Sequence, residues 1–237
     1  MDKVCLITSA RLNSQRLPNK MLKPFDDSTL FDICLAKMSN IHYIDKYAIV
    51  YEPELIEAAS KYPEINTFIR SKESAEADGP VSLIWDWALD PVFMEYTHFI
   101  YINSCLPCLS QKSIIRFINS FSASVFDNMF AVKKIKDYIW NDCGELIYPD
   151  YPVTMMNTKD PNLKEIFIAA HCLYGGTLEG VRNNLQLGNF TKDNPALYTI
   201  DSKFELLDVD DEEDFRIAEG VYKHYAKYIS YRNRHIS

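Results

Sequence analysis

Five short apolar runs, Val4–Thr8, Tyr47–Tyr51, Thr67–Ile69, Phe99–Ile102 and Met129–Lys133, alternate with stretches whose apolar residues recur at helical spacing. A strand that is apolar on both faces needs cover on both sides, so this alternation predicts an α/β fold, a mainly parallel sheet flanked by helices. Ser28 suits the N-cap of a helix carrying Leu30, Phe31, Ile33, Cys34 and Leu35, and Pro53 suits the first turn of a helix through Leu55, Ile56 and Ala59. Further helices are expected from near Gly79-Pro80, burying Leu83, Ile84 and Trp87, and over Ser110–Phe121. A last helix is expected from about Asp211 to Tyr228, with Phe215, Ala218, Val221, Tyr222 and Tyr225 facing inward. Between Ile135 and Tyr148, aromatic runs flank Asn141-Asp142-Cys143-Gly144, the signal of a small antiparallel hairpin. With 237 residues the chain suits a single domain over 1–237, with 135–170 as an inserted hairpin segment.

A net charge of −8 argues against a general nucleic-acid binder, whose phosphate affinity rests on clustered Lys and Arg. No stretch approaches the roughly 20 apolar residues of a membrane span, and the first residues lack a secretory pattern, so a cytoplasmic protein is expected. Most of the six cysteines lie within apolar patterns and are expected to be reduced. Cys105-Leu106-Pro107-Cys108 has no second pair and no His at ligand spacing, which argues against a zinc or redox role.

The first apolar run leads into Ala10-Arg11-Leu12-Asn13-Ser14-Gln15-Arg16-Leu17-Pro18-Asn19-Lys20. Ligands of α/β sheets bind at the carboxyl ends of strands, and Arg11, Arg16 and Lys20 with the Ser14 hydroxyl and backbone N–H groups could cradle a triphosphate there. Neither a Walker A loop nor a Gly-x-Gly-x-x-Gly fingerprint is present, and a solvated basic connector is the alternative. Near the other end, Leu206–Asp210 reads as an apolar strand ending in alternate carboxylates, with Asp208 and Asp210 on one side. Such a pair can hold a divalent cation or can serve as a turn or helix cap. Asp211, Glu212, Glu213 and Asp214 suit the start of a helix, where carboxylates oppose the helix dipole.

Ala-Arg-x-x-Ser-x-Arg-Leu-Pro-x-Lys resembles the amino-terminal signature of the CMP-sugar synthetases, the cytidylyltransferases that activate sialic acids, related nonulosonates and 3-deoxy-manno-octulosonate. Four more segments fall in that family's order: Arg70–Asp78, Tyr101–Pro107, His171–Tyr174 and Leu207–Phe215. The resemblance implies a nucleotide-diphospho-sugar transferase-like fold, CTP as co-substrate, Mg²⁺ on Asp208 and Asp210, and a homodimer formed through the hairpin insertion. Against the dimer contact stands the alternative that Tyr138, Trp140, Tyr148 and Tyr151 cover the edge of their own domain. The resemblance further implies that Ala10, Arg11, Ser14, Arg16 and Lys20 belong to the nucleotide site, with Arg11, Ser14, Arg16 and Lys20 on the triphosphate. It assigns Arg70 to holding the nucleotide, with a surface ion pair as the alternative, and Asn103 and Ser104 to the same nucleotide site. Asn103-Ser104-Cys105-Leu106-Pro107 stands where many relatives have Gln-Pro-Thr-Ser-Pro, so the contact to the cytosine edge is shortened. Where sialate synthetases carry an Arg-Gln pair and Asn-Gly-Ala, this chain has Lys159-Asp160-Pro161 and Ala170-His171-Cys172. Lys159, His171 and Tyr174 are therefore the candidates for an altered acceptor pocket. The rival readings are an enzyme of the same fold using another nucleotide or a nucleotide sugar, and a non-catalytic nucleotide-binding homologue.

Overall fold

The computed structural model describes residues 3–151, 153, 159–185 and 194–235, with side chains of the last helix described to His224. Among these residues seven strands form one sheet: β1 (Val4–Ser9), β2 (Asp45–Val50), β3 (Asn66–Ile69), β4 (His98–Ile102), β5 (Met129–Ile135), β6 (Ile166–Thr177) and β7 (Ala196–Thr199). Their order is β7-β5-β6-β4-β1-β2-β3. All neighbours pair in parallel except around β6, which runs antiparallel to both β4 and β5. This is the mainly parallel, helix-flanked sheet of the nucleotide-diphospho-sugar transferase-like fold.

The five expected strands are present with ends shifted by up to two residues, whereas β6 and β7 extend the sheet beyond them. Gly175 in β6 lets Phe121 pack flat against the sheet, because a Cβ built there would stand 2.7 Å from the Phe121 ring. The helices are α1 (Leu30–Ser39), α2 (Pro53–Ser60), α3 (Lys72–Glu76), α4 (Val81–Ile84), α5 (Gln111–Ser122), α6 (Leu178–Arg182) and α7 (Glu212–His235). Helix α1 is capped one residue later than expected, since Ser28 pairs in a two-residue ribbon with Phe25 and Thr29 accepts the Asp32 N–H. Pro53 opens α2 as expected.

The helix expected near Gly79-Pro80 is only the single turn α4 followed by a 3₁₀ turn over Asp86–Leu89. Leu83 consequently faces solvent, while Trp85 and Trp87 bury their rings beside Phe93 and Phe99. Helix α7 runs past the expected end, with Phe215 and Ala218 buried and Val221 and Tyr222 half-buried; the Tyr225 side chain lies outside the described residues. Asp211 accepts the Asp214 N–H and the Asp214 carboxylate accepts the N–H groups of Asp210 and Asp211, a reciprocal cap at the start of α7.

The segment before it corrects the sequence expectation. Leu206–Asp210 is not a strand: Lys203–Leu206 forms a 3₁₀ turn and Leu207–Asp210 follows as an unpaired connection. Its apolar residues pack on the core from a loop, without ladder bonds, which is why an apolar pattern alone misassigns it.

The hairpin between Ile139–Trp140 and Leu146–Tyr148 is antiparallel and separate from the main sheet. Its turn is held by Asn141, whose Oδ1 accepts the N–H groups of Cys143 and Glu145, and Gly144 takes φ 80°. Tyr148 and Tyr151 turn their hydroxyls onto Lys164 O and Asp160, while Trp140 and Ile147 remain exposed. No helix among the described residues is long and apolar enough to cross a membrane.

Candidate active site

The chain leaves β1 toward β2 on one side and later lays β4 on the other, so β1 marks the point where the strand order reverses. A crevice opens outside the carboxyl ends of strands at such a switch point. Here it is a cavity of about 540 Å³ walled by the loop after β1, by Arg70 and Ala77–Asp78 after β3, by Asn103–Cys105 after β4, and by Asp210. Ala10, Arg11, Ser14, Arg16, Lys20, Arg70, Asn103, Ser104 and Asp210 all line it. The basic loop is therefore a wall of the cavity rather than a free connector.

The loop's cations each meet an anion or a carbonyl. Arg11 donates to Ala77 O at 3.1 Å and to Asp78 Oδ1 at 2.6 Å. Arg16 Nη2 lies 2.8 Å from Asp210 Oδ1, and Lys20 Nζ lies 3.6 Å from the same oxygen while donating to Val209 O at 2.7 Å. Arg70 is 6% exposed, so the surface ion pair is excluded for it. Its Nη2 donates to Ala10 O at 2.8 Å, its Nε is buried without a partner, and burial lowers its pKa. Ser104 is largely buried at the cavity wall and donates to Ser9 O. Burial likewise pushes Tyr101 up to about 12, so it serves as a neutral hydroxyl 3.2 Å from Ser9 Oγ.

Val209 sits in the core, its N–H donates to Cys105 O and its carbonyl accepts from Lys20; Asp208 and Asp210 flank this anchor, both half-buried. Asp208 Oδ1 is buried and has no hydrogen-bond partner. Burial, and then repulsion from Asp210, push the Asp208 carboxyl up to about 6, with Lys20 and His171 pulling the other way. Among the described residues no group of three or more His, Cys, Asp or Glu side chains is gathered to hold a metal. Two carboxylates suffice for Mg²⁺, which completes its shell with water and phosphate oxygens.

Because the folded pKa of Asp208 is raised, its ionisation opposes folding; the penalty is absent below about pH 4, grows between about pH 4 and 6, and is fully present above that. Asp208→Asn is accordingly expected to raise Tm by a few degrees at pH 7.5 in the absence of divalent cations, with the gain vanishing toward pH 4. Thermal melts of both proteins at the two pH values check this, and equal Tm values at pH 7.5 would remove the desolvated carboxylate from the account.

Asp208, Lys159, His171 and Tyr174 are not among the residues that line the cavity. His171 lies at an irregularity in β6, where the register shifts between Ala169 and Tyr174 and His171 takes φ 52°. Its Nδ1 is 2.7 Å from the Tyr174 hydroxyl, and its carbonyl accepts from Asn103 Nδ2. Asn103 Oδ1 accepts the Cys105 N–H, so both ends of this amide hold the strand ends together. One Nδ2 hydrogen is left for a ligand. Lys159 is an exposed turn residue. All six cysteines are free, and burial pushes Cys105 and Cys108 up to about 11, which keeps them as thiols.

Sequence reasoning did not single out Ser9, Gln15, Asp78 or Tyr101 as site residues. Gln15, Asp78 and Tyr101 lay inside segments that carried the resemblance, but nothing in their residue type distinguished them from surface and core positions.

A cation-lined crevice of about 540 Å³ at the switch point of this fold, faced by a carboxylate, suits a polyphosphate ligand. Residues 5–136, more than half of the chain, match the family model described as cytidylyltransferase. The chain belongs to the cytidylyltransferase family. Among solved structures it is similar to CMP:2-keto-3-deoxy-manno-octonic acid synthetase complexed with CTP, at 10% identity, with a TM-score of 0.70 over 94% of this chain and 100% of that one. It is similar also to 4-diphosphocytidyl-2C-methyl-D-erythritol synthase from Anaerococcus prevotii, at 12% identity and TM-score 0.64 over 94% and 99% of the two chains. A cytidylyltransferase from Leptospira borgpetersenii matches at 13% identity and TM-score 0.59 over 99% and 95%. No curated protein sequence matches. The likeness to the first structure is consistent with the CMP-sugar synthetase resemblance read from the motifs.

Proposed function

We propose that the protein is a Mg²⁺-dependent cytidylyltransferase that moves CMP from CTP to a small acidic acceptor and releases pyrophosphate. The acceptor is a 2-keto-3-deoxy sugar acid of nonulosonate type, or an acid bearing a phosphate or phosphonate. The observation that carries this reading is the convergence of Arg11, Arg16 and Lys20 with Asp210 on one cavity, with Asp208 two residues away. An acceptor oxygen attacks the α-phosphorus, a P–O bond to the acceptor forms, and the bond to the β-phosphate oxygen breaks. Arg11, Ser14, Arg16 and Lys20 hold the triphosphate in line and neutralise charge that gathers on its oxygens. Ala10 backbone, Arg70, Asn103 and Ser104 border the nucleoside end.

Asp208 and Asp210 would hold Mg²⁺, which when bound supplies a Lewis acid for the α-phosphate. The buried, unpartnered Asp208 Oδ1 is the kind of hard oxygen that fits it. His171, fixed by Tyr174, and Lys159 are the acceptor contacts in this reading. The exposed Trp140 and Ile147 of the hairpin suit a second copy of the chain.

Because the chain lacks the Arg-Gln and Asn-Gly-Ala patterns, N-acetylneuraminate is expected to be a poor substrate: its carboxylate and hydroxyls would bind with polar groups unpaired. Pyrophosphate release from CTP and Mg²⁺, screened over N-acetylneuraminate, 3-deoxy-manno-octulosonate, other nonulosonates and small phosphorylated or phosphonate acids, tests both statements. One of the acids other than N-acetylneuraminate is expected to give the highest kcat/KM. Release with none of them would overturn the proposed reaction, and N-acetylneuraminate as the best acceptor would overturn the reading of the pocket.

A further inference from the structure

The two oxygens of Asp78 are both taken by donors of the loop after β1. Arg11 Nη2 donates to Oδ1 at 2.6 Å, and Gln15 Nε2 donates to Oδ2 at 3.2 Å. All three residues line the cavity, and Arg11 adds a bond to Ala77 O from its other terminal nitrogen. A carboxylate that accepts a donor on each oxygen in this way occupies the groups that a phosphate would need. The second pair of loop cations, Arg16 and Lys20, is met similarly by Asp210, but that carboxylate has its own part in the proposed reaction. Asp78 has none: it belongs to neither the Asp208/Asp210 pair nor the acceptor cluster. It sits on the wall opposite the loop, reached from β3 through α3.

We propose that Asp78 is a built-in competitor for the phosphate site, an affinity-setting residue whose carboxylate holds Arg11 and Gln15 until the phosphates of the nucleotide displace it. This rests on the reading of the loop as the triphosphate cradle. The pair is suited to being displaced. The Asp78 side chain is 61% exposed and that of Arg11 33%, and an ion pair open to water on this scale is weak. A ligand presenting several phosphate oxygens, with Arg16 and Lys20 within its reach, therefore wins Arg11 from it. Affinity for such a ligand is reduced in proportion to the fraction of molecules in which Arg11 is already taken. When pyrophosphate departs, Asp78 recovers Arg11, which favours release.

The competitor reading and a merely structural one differ in sign. If Asp78 only braced the loop, removing its charge would loosen the cradle and weaken anion binding. As a competitor, Asp78→Asn is expected to bind more tightly. Calorimetric titration with inorganic tripolyphosphate and with CTP, each against wild type and D78N, is expected to show dissociation constants about two- to tenfold lower for D78N with both ligands. In an Arg11→Ala background, D78N is expected to make no difference, since the contest is for that side chain. Unchanged or weaker binding by D78N in the presence of Arg11 would overturn the proposal. So would an equal gain in the Arg11→Ala background, which would reduce Asp78 to a general negative charge. Wild type that binds neither tripolyphosphate nor CTP would instead overturn the reading of the loop itself, and the two failures are thereby distinguished. Circular dichroism of D78N excludes misfolding as the source of any loss.

Discussion

Asp210→Asn is expected to lower pyrophosphate release at least about a thousandfold while leaving the protein folded. The several kcal/mol that a correctly held cation contributes to phosphoryl transition states depends on anionic oxygen ligands, and an amide at the same position keeps the volume but not the charge. Little stability is at stake. The Asp210 side chain is 39% exposed, and its contacts to Arg16 and Lys20 are exposed or marginal in length, which places their joint contribution at about 0–1 kcal/mol. Asp208→Asn is expected to lose activity to a similar degree, together with the gain in Tm described above. Pyrophosphate release and thermal melts measured on the same preparations check both, and a fully active double variant would remove the metal assignment from the account.

Arg11→Ala is expected to weaken CTP binding tenfold to hundredfold. A charge-assisted bond from a guanidinium to a phosphate oxygen in a partly enclosed site is worth roughly 1.5–3 kcal/mol, and Arg11, at 33% side-chain exposure, sits in such a site. The Asp78 contact moderates the loss, because wild-type Arg11 must first be released. Calorimetry with CTP reads this directly; affinity equal to that of wild type would return Arg11 to the role of a surface residue.

The strands that place the site were legible because they are short runs with apolar residues followed by a polar loop, although Asn66–Ile69, at the sheet edge, is largely exposed. Val4–Ser9 and His98–Ile102 bury most of their side chains and expose none fully, so their runs carried no competing period. β6 was illegible for the opposite reason. Its apolar run is broken by His171 and by Gly175-Gly176, which read as turn or loop, and only tertiary pairing with β4 and β5 makes a strand of it. The same override acts on Leu206–Asp210, where an apolar pattern that suggested a strand buries its side chains from a connection. Ser28 and Thr29 are both good caps, and the short ribbon with Pro24–Phe25 decides between them.

Within the site, the basic loop and the Asp208/Asp210 pair were legible as residue types at suitable spacing. What they touch was not. Arg70 could have been a surface residue by type, yet β3 delivers it into the interior, where its guanidinium braces Ala10. Asn103 kept the amide of a base-reading residue, but its two ends are largely committed to Cys105 and His171. The Asp78 contact joins residues 67 positions apart in sequence and has no local signature at all.

The claim that the cavity at the end of β1 is a CTP site is tested most directly by calorimetric titration of the wild-type protein with CTP, UTP, ATP and GTP, each with and without Mg²⁺. The account predicts saturable binding of CTP that is tightened by Mg²⁺ and is stronger than that of the other three nucleotides. No CTP binding under either condition, or preferential binding of a different nucleotide, would contradict it.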